Sequence, residues 1–340
     1  MIKLKVGVIG AGRLGKVYVR DLASRIPETT VVAVADIDRA LAAGIAEEFG
    51  VPRSYASADE LIGDPNVDAV VIVSPTHAHR EHAVAAARSK KPTFCEKPPA
   101  LSLAECDAMA DAVERAGTFF QMGFMRRFDP GYAAAKEKVD QGAIGRPVVF
   151  KSSSRDPFRP SLEYANPASS GGIMVDMGIH DFDLARWFMG EVDTVLAAGG
   201  VLAYPEMASI GDIDNAVATL VFTDGRLGVI DLTRNGVYGY DISTELLGDA
   251  GTLRVGYLRE TPLYTMTKNN VSHDTVPYFM ERFERAYTLQ LQNFAQNVLH
   301  HRVPPVVIKD GVEALRIALA ATAAHQTGQP VRVKAPGSGL

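Results

Sequence analysis

Cysteine and tryptophan are scarce in this chain of 340 residues, which contains two cysteines and one tryptophan. Two cysteines, Cys95 and Cys106, do not build a framework of several disulfides, and so few thiols favour the reducing cytoplasm. The short apolar run near the N-terminus ends in a glycine-rich turn rather than a cleavage site. The sequence therefore predicts a cytoplasmic protein without an export signal.

Long apolar runs and an excess of positive charge are also missing. No run approaches the roughly 20 residues of a membrane-spanning helix, so no membrane segment is predicted. Lys and Arg number 35 against 40 Asp and Glu, for a formal net charge of −5. This balance gives no support to nucleic-acid or anionic-membrane binding. With 47% hydrophobic residues and this length, the chain is typical of a globular protein of two domains.

A glycine-rich loop near the N-terminus predicts a dinucleotide site. Leu4–Ile9 forms an apolar strand pattern, and Gly10, Gly12 and Gly15 follow in G-x-G-x-x-G spacing before a helical pattern. The spacing allows a tight turn, close approach to a pyrophosphate, and close packing of helix on strand. The helix start offers free N–H groups to the phosphates. The loop residues expected to contact the cofactor are Gly10, Gly12, Arg13, Leu14 and Gly15.

Asp36 closes the second strand pattern about 20 residues after the glycines, where such folds place a ribose-binding acid. A carboxylate there accepts both ribose hydroxyls of NAD and repels the 2′-phosphate of NADP. Asp38 adds to that repulsion, while Arg39 argues mildly the other way. We therefore predict NAD as the cofactor.

Residues 1–122 alternate strand and helix patterns, which predicts a doubly wound Rossmann domain with its ligand at the carboxyl ends of the strands. Two loops fall at such ends, SPTHAH after residues 68–73 and EKP after residues 92–95. The residues on this side that we expect near the cofactor are Ser74, Pro75, Thr76, His79, Glu96 and Lys97.

The remainder changes character, with alternating segments such as NAVATLVF and YDISTELLG separated by turn signals. These segments predict a large, mainly antiparallel open sheet in an α+β domain over residues 123–333. Helices are predicted over 278–299 and 310–324, and residues 334–340 are predicted to be a flexible tail.

Asp176 and His180 lie four residues apart in GGIMVDMGIHDFDLARWF. Four residues is one helical turn, so both side chains are predicted on the same face of a helix. A carboxylate beside an imidazole fixes its tautomer and raises its basicity, which suits a base that takes a proton from a hydroxyl. A buried pair that only satisfies its own hydrogen bonds is the alternative.

The chain resembles the Gfo/Idh/MocA oxidoreductases, and within them the inositol 2-dehydrogenases. The resemblance rests on GVIGAGRLG, SPTHAH, CEKPPA and the GGIMVDMGIHDFDLARW segment, and covers nearly the whole chain. GFMRRFDPGY and SRDP point to the inositol dehydrogenase branch. One departure is Thr76, where many relatives have Asn, although Thr also donates and accepts hydrogen bonds.

The resemblance implies a catalytic set of Lys97, Asp176 and His180. His180 would take the hydroxyl proton while hydride leaves the same carbon for nicotinamide. Asp176 would orient His180, and Lys97 would oppose charge on the forming carbonyl oxygen. The Lys97–Pro98 bond is a candidate cis peptide, as relatives suggest.

The resemblance also implies a binding site for a cyclic polyol or sugar. The substrate-binding residues predicted in this way are Lys97, Arg127, Asp156, Asp176, His180, Tyr240 and Tyr287. Arg127 pairing with Asp129, and the tyrosines as core aromatics, are the structural alternatives. Relatives also suggest a homo-oligomer, a dimer or tetramer, through the open sheet.

Three other functions remain open at this point. A pyranose dehydrogenase, for example of glucose, would use the same scaffold. A non-enzymatic NAD sensor is disfavoured by Lys97, Asp176 and His180. Zinc chemistry is suggested by His77, His79, His82 and Cys95, but the separated Cys ligands of zinc alcohol dehydrogenases are missing, so no metal is predicted.

Overall fold

A computed structural model describes residues 3–333 of the chain. The predicted tail, 334–340, lies outside the described residues. The chain folds as two compact units. The first unit contains the described residues up to Phe128 together with Arg285–Glu313, and the second contains Asp129–Glu284 together with the described residues from Ala314 onward.

The first unit is built on a parallel six-stranded sheet with the order β3-β2-β1-β4-β5-β6. The chain builds outward from β1 on one side and then from β4 on the other. The order therefore reverses between these two strands, where doubly wound folds bind their ligands. The strands are β1 Leu4–Ile9, β2 Thr29–Ala35, β3 Ser54–Tyr55, β4 Ala69–Ile72, β5 Thr93–Glu96 and β6 Phe120–Gly123.

The helices of this unit follow the strands as the sequence predicts. They are α1 Arg13–Arg20, α2 Arg39–Phe49, α3 Ala58–Gly63, α4 Thr76–Arg88 and α5 Leu103–Ala116, with a π-helical turn at Asp21–Arg25 and a 3₁₀ turn at Met125–Phe128. Ser57 caps α3 by accepting from the N–H of Glu60 at 3.2 Å, and Ser102 caps α5 in the same way at 3.3 Å. Strand β4 is buried along its whole length, as a parallel sheet covered on both faces requires.

The second unit holds a seven-stranded sheet with the order β12-β11-β7-β10-β9-β8-β15. Only β7 and β10 pair in parallel within this described sheet, so the predicted mainly antiparallel sheet is confirmed. Its strands are β7 Pro147–Arg155, β8 Val192–Gly200, β9 Asn215–Phe222, β10 Leu227–Thr233, β11 Asp241–Gly248, β12 Thr252–Val255 and β15 Val331–Arg332. A separate hairpin is formed by β13 Thr265–Met266 and β14 Val271–Ser272.

Five helices of the second unit precede or follow β7. They are α6 Pro130–Asp140, α7 Leu162–Ala165, α8 Pro167–Ser170, α9 Gly172–Asp176 and α10 Ile179–Met189, and a 3₁₀ helix runs over Pro205–Ile210. Strands β9 to β11 alternate buried and exposed residues, so one face of the sheet packs inward. The other face exposes large apolar side chains, namely Leu196, Val217, Leu227, Val229 and Leu247.

The two long C-terminal helices are α11 Phe279–Leu299 and α12 Ile308–Thr327. The part of α11 from Arg285, and α12 up to Glu313, belong to the first unit. The compact units therefore differ from the division into 1–122 and 123–333, which stays a prediction about domains. Within residues 3–333, no helix combines the length and the apolar character needed to cross a membrane.

Candidate active site

The glycine loop folds as the spacing predicts. Gly10 has a φ of 104°, and a side chain there would lie 2.7 Å from the backbone of Val73 and Ser74. A Cβ on Gly15 would lie 2.0 Å from the carbonyl oxygen of Gly10. The loop therefore packs against the end of β4 and against its own helix. Helix α1 begins at Arg13 without a side-chain cap, which leaves its first N–H groups for an anion.

Asp36 is tied to this loop by its carboxylate. Oδ2 accepts from the N–H of Ala11 at 2.7 Å, and Oδ1 accepts from the N–H of Asp38 at 2.9 Å. A half-buried carboxylate held in this way is fixed at the loop and keeps lone pairs for two ribose hydroxyls. Asp38 instead caps α2 by accepting from the N–H groups of Ala40 and Leu41.

A cavity of about 490 Å³ opens beside the loop in the first unit. Its size and largely apolar walls suit the adenosine half of a dinucleotide, adjacent to the carboxylate that would bind the ribose. The lining residues are Ala11, Gly12, Arg13, Lys16, Ala40, Leu41, Gly44, Ile45 and Glu48.

Ser74 and His79 brace the loop after β4. His79 is 1% exposed, with Nε2 2.8 Å from the carbonyl oxygen of Ser74 and Nδ1 2.8 Å from that of Pro98. Burial lowers the pKa of His79 to about 4, although both carbonyls oppose the shift, so the neutral ring donates to one of them at a time. The hydroxyl of Ser74 lies 3.0 Å from Nδ1 of His82. His79 therefore joins two strand ends, and its direct contact with cofactor stays a prediction.

Lys97 follows β5, and its peptide bond to Pro98 is cis, as predicted. Its N–H donates to Oε2 of Glu96 at 3.1 Å. Glu96 is 5% exposed, and its Oε1 accepts from the hydroxyl of Tyr18 and from Nε2 of Gln290. Burial raises the pKa of Glu96. The described polar contacts of Glu96 are thus to Tyr18, Gln290 and the N–H of Lys97, and its contact with cofactor stays a prediction.

The helix predicted to carry Asp176 and His180 is divided into two. Asp176 is the last residue of α9, and His180 is the second residue of α10. At the break, the N–H of Gly178 donates to the carbonyl oxygen of Ile173 at 3.0 Å, five residues back, and a Cβ on Gly178 would lie 2.7 Å from the carbonyl oxygen of Met174. The dihedral angles of Met177 and Gly178 stay in the right-handed helical region, so the separation of about one turn is retained.

Asp176 is held by residues that the sequence does not single out. The hydroxyl of Tyr164 donates to Oδ1 at 3.2 Å, and Nη2 of Arg234 lies 3.5 Å from Oδ2. The negative charge of Asp176 raises the pKa of Tyr164, so this phenol stays a donor.

His180 is 8% exposed and sits on a helix that is anchored to the sheet by its neighbour, Asp181. The buried carboxylate of Asp181 accepts from the hydroxyls of Ser152 at 2.5 Å and Ser154 at 2.7 Å, both on β7. This explains the alternating serines of KSSSR, because Ser153 points to the other face and donates to Asp231.

Arg127 and Asp129 each have a charged partner within their own unit. Arg127 forms an ion pair with Asp310 at 3.2 Å in the first unit. Asp129 caps α6 and pairs with Arg282 at 2.8 Å in the second unit. These ion pairs give Arg127 a charged partner other than Asp129, and its role in substrate binding stays a prediction.

The remaining predicted substrate residues differ in their surroundings. Asp156 is half-buried at the end of β7, where its N–H donates to the carbonyl oxygen of Thr233 at 2.9 Å. Tyr240 is 6% exposed, and its ring centroid lies 5.7 Å from that of Tyr278. Tyr287 is 6% exposed and lies 6.0 Å from the ring of Tyr18 in the first unit. Both tyrosines have the packing of core aromatics, and their contact with substrate is a prediction.

The zinc hypothesis finds no support in the geometry. Among residues 3–333, no group of three His, Cys, Asp or Glu side chains is arranged to hold a metal ion. Both ring nitrogens of His79 face carbonyl oxygens, and Cys95 is buried as a free thiol.

Comparison with known proteins places the chain in a family. Residues 4–124 match the model of the NAD-binding Rossmann fold of the Gfo/Idh/MocA oxidoreductase family, and residues 136–333 match its C-terminal alpha/beta domain. The chain therefore belongs to this family, and the predicted family, fold class, NAD cofactor and oxidoreductase class are confirmed.

The similar relatives within this family carry specific names. The chain is 37% identical to the scyllo-inositol 2-dehydrogenase (NAD(+)) of Bacillus subtilis, with 97% of this chain and 96% of that protein aligned. It is 39% identical to the myo-inositol 2-dehydrogenase of Thermotoga maritima, over 97% and 99% of the two chains. A solved scyllo-inositol dehydrogenase from Lactobacillus casei with bound NAD(H) and scyllo-inositol superposes with a TM-score of 0.93 at 32% identity, covering 97% of this chain and 99% of that one.

Proposed function

We propose that this protein is an NAD-dependent inositol 2-dehydrogenase, which oxidises a ring hydroxyl of a cyclic polyol to the ketone with Lys97, Asp176 and His180 as its catalytic set. The observation that carries the proposal is the Asp176–His180 pair about one turn apart, in a chain whose relatives over nearly full length are named inositol 2-dehydrogenases. The predicted substrate class agrees with these names.

The reaction converts CH–OH and NAD⁺ to C=O, NADH and a proton. NAD, when bound, supplies the acceptor for the hydride that leaves the carbinol carbon. His180 takes the hydroxyl proton as general base. Asp176, oriented by Tyr164, holds the imidazole and favours its protonated product form.

Lys97 supplies the positive charge that stabilises the developing alkoxide until the carbonyl forms. The groups around it favour a defined position, because Glu96 accepts from the N–H of Lys97 and His79 reaches the carbonyl oxygen of Pro98. We propose that Glu96 and His79 contribute to this positioning in addition to the contact with cofactor that the sequence predicts. Arg127, Asp156, Tyr240 and Tyr287 are proposed to hold the other ring hydroxyls.

Two finer statements accompany the proposal. The outer face of the seven-stranded sheet exposes large apolar side chains, including Val217 and Val229, and this supports assembly into a dimer or tetramer, because burial of exposed apolar side chains is favourable. The two cysteines are both buried free thiols, which supports a cytoplasmic location.

The test is a panel of myo-inositol, scyllo-inositol, chiro-inositol and glucose with NAD, recording initial rates. We expect turnover of at least one inositol with a higher kcat/KM than glucose, and a kcat/KM that rises with pH through one ionisation. His180→Ala should lower kcat on the order of 10²–10⁴-fold and remove that ionisation. His273→Ala, an exposed histidine of the same unit, is the matched control. Turnover of glucose alone, or a His180→Ala enzyme with unchanged kcat, would contradict the proposal.

A further inference from the structure

Asp176 has a buried cation beside it. Arg234 directly follows β10, and its Nη2 lies 3.5 Å from Oδ2 of Asp176. Its side chain is only 1% exposed, so the contacts that the structure gives it are with protein groups. Any effect of Arg234 on the reaction is therefore exerted through its neighbours.

Arg234 also faces a second carboxylate. Nη2 lies 3.6 Å from Oδ2 of Asp212, whose side chain is 6% exposed. Oδ1 of Asp212 accepts from the N–H of Ile173 at 3.2 Å, in the first turn of α9. Asp212 thus sits at the start of the helix that Asp176 ends, and Arg234 lies between the two carboxylates.

Other polar groups complete the surroundings of this cluster. Tyr164 on α7 donates to Asp176, and Tyr278 acts electrostatically on Tyr164. Burial raises the pKa of Asp212, while the charge of Arg234 and the N–H groups of Ile213 and Ile173 oppose that shift. Asp214 follows closely, but its carboxylate is turned to the backbone N–H groups of residues 202–204.

We propose that Arg234 and Asp212 are positioning residues that set the charge around Asp176, and thereby the pH at which His180 becomes able to accept the substrate proton. The inference rests on the proposed function of Asp176 and His180. Groups that titrate as a coupled set share their apparent ionisations. A fixed positive charge lowers the apparent pKa of each of these ionisations, and a fixed negative charge raises it. This holds whichever member of the set carries the proton.

The experiment is the pH profile of kcat/KM for inositol oxidation in four variants. Arg234→Gln should move the ionisation to higher pH by roughly 0.5–1 unit, and Asp212→Asn should move it to lower pH by a similar amount. The double variant should return close to wild type, because one charge of each sign is removed. Arg146→Gln removes a surface cation, 60% exposed and paired with Asp224, and should leave the profile unchanged. The KM for NAD should stay the same in all four.

The two single variants are expected to shift the ionisation in opposite directions, which a merely structural effect would not do. Loss of packing would lower activity in both single variants without moving their ionisations in opposite directions. If Arg234→Gln does not fold, Asp212→Asn and the charge-balanced double variant still decide the question. Unmoved ionisations, or shifts of the same sign, overturn the inference. Failure of the proposed function is distinct, since wild type would then lack an ionisation that His180→Ala removes.

Discussion

Cofactor preference follows from how the structure holds Asp36. Its two oxygens already accept from the N–H groups of Ala11 at 2.7 Å and Asp38 at 2.9 Å, so the carboxylate is fixed before NAD binds. If Asp36 binds the ribose as predicted, two further hydrogen bonds to ribose hydroxyls, at about 1.5 kcal/mol each for a charged acceptor, would contribute about 3 kcal/mol. That corresponds to a loss on the order of 10²-fold in kcat/KM with NAD when Asp36 is replaced by Ala.

With NADP, the interaction of the Asp36 carboxylate with the ribose becomes repulsive, because the 2′-phosphate is negatively charged. One negative charge about 4 Å from the carboxylate costs about 4 kcal/mol at an effective dielectric constant of 20. Wild type should therefore prefer NAD over NADP by on the order of 10³-fold in kcat/KM. In Asp36→Ala, both terms disappear and the two cofactors should differ by less than about tenfold.

The assay compares kcat/KM for NAD and NADP at one ionic strength in wild type, Asp36→Ala and Asp38→Asn. Asp38→Asn removes a neighbouring charge but keeps an oxygen to cap α2, so its ratio should stay within about threefold of wild type. A wild-type preference for NADP, or an unchanged ratio in Asp36→Ala, would refute this account of the ribose site.

Three other outcomes are expected. Gly15→Ala should weaken NAD binding, measured by calorimetric titration, at least tenfold, because its Cβ would lie 2.0 Å from the carbonyl oxygen of Gly10. The control is Gly63→Ala, whose Cβ would meet nothing within 4 Å and which should leave NAD binding unchanged. Asp181→Ala should lower the free energy of unfolding, measured in urea, by about 3 kcal/mol, because the buried hydroxyls of Ser152 and Ser154 lose the carboxylate that accepts from them. The control is Ser153→Ala on the outer face, which should lower the free energy of unfolding by less than about 1 kcal/mol. Lys97→Ala should lower kcat on the order of 10²-fold or more and keep the pH dependence that His180 gives, which steady-state rates will check.

The first unit was predictable because its determinants are local. The turn of Gly10, the helix after it and the acid at position 36 occur within one βαβ stretch, and each has a fixed spacing. The capping serines Ser57 and Ser102 likewise act three residues along the chain. In these cases, the residues that define the sequence pattern are close in the chain to the groups that they contact in the structure.

The break between Asp176 and His180 was not predictable from periodicity. Every residue of the stretch is compatible with one helix, and the structure places the interruption at Gly178, which packs closely against β10, since a Cβ there would lie 2.9 Å from the side chain of Leu232. A single glycine within a helical pattern is the visible signal, but it marks close packing only once the partner strand is known.

The groups around Asp176 could not be predicted from the sequence for a related reason. Tyr164 and Arg234 contact Asp176, and Asp212 contacts Arg234. These three residues lie on a short helix, at the end of β10 and in a loop before β9, so no spacing in the sequence joins them. Arginine is almost never fully buried unless it is paired, yet its sequence neighbours do not reveal burial. The proposed catalytic pair thus appears in the sequence as a motif, whereas the groups proposed to tune it depend on the topology of the sheet. We therefore expect the effects of substitutions around that pair on activity to follow from where the charged groups lie in three dimensions rather than from their position in the motif.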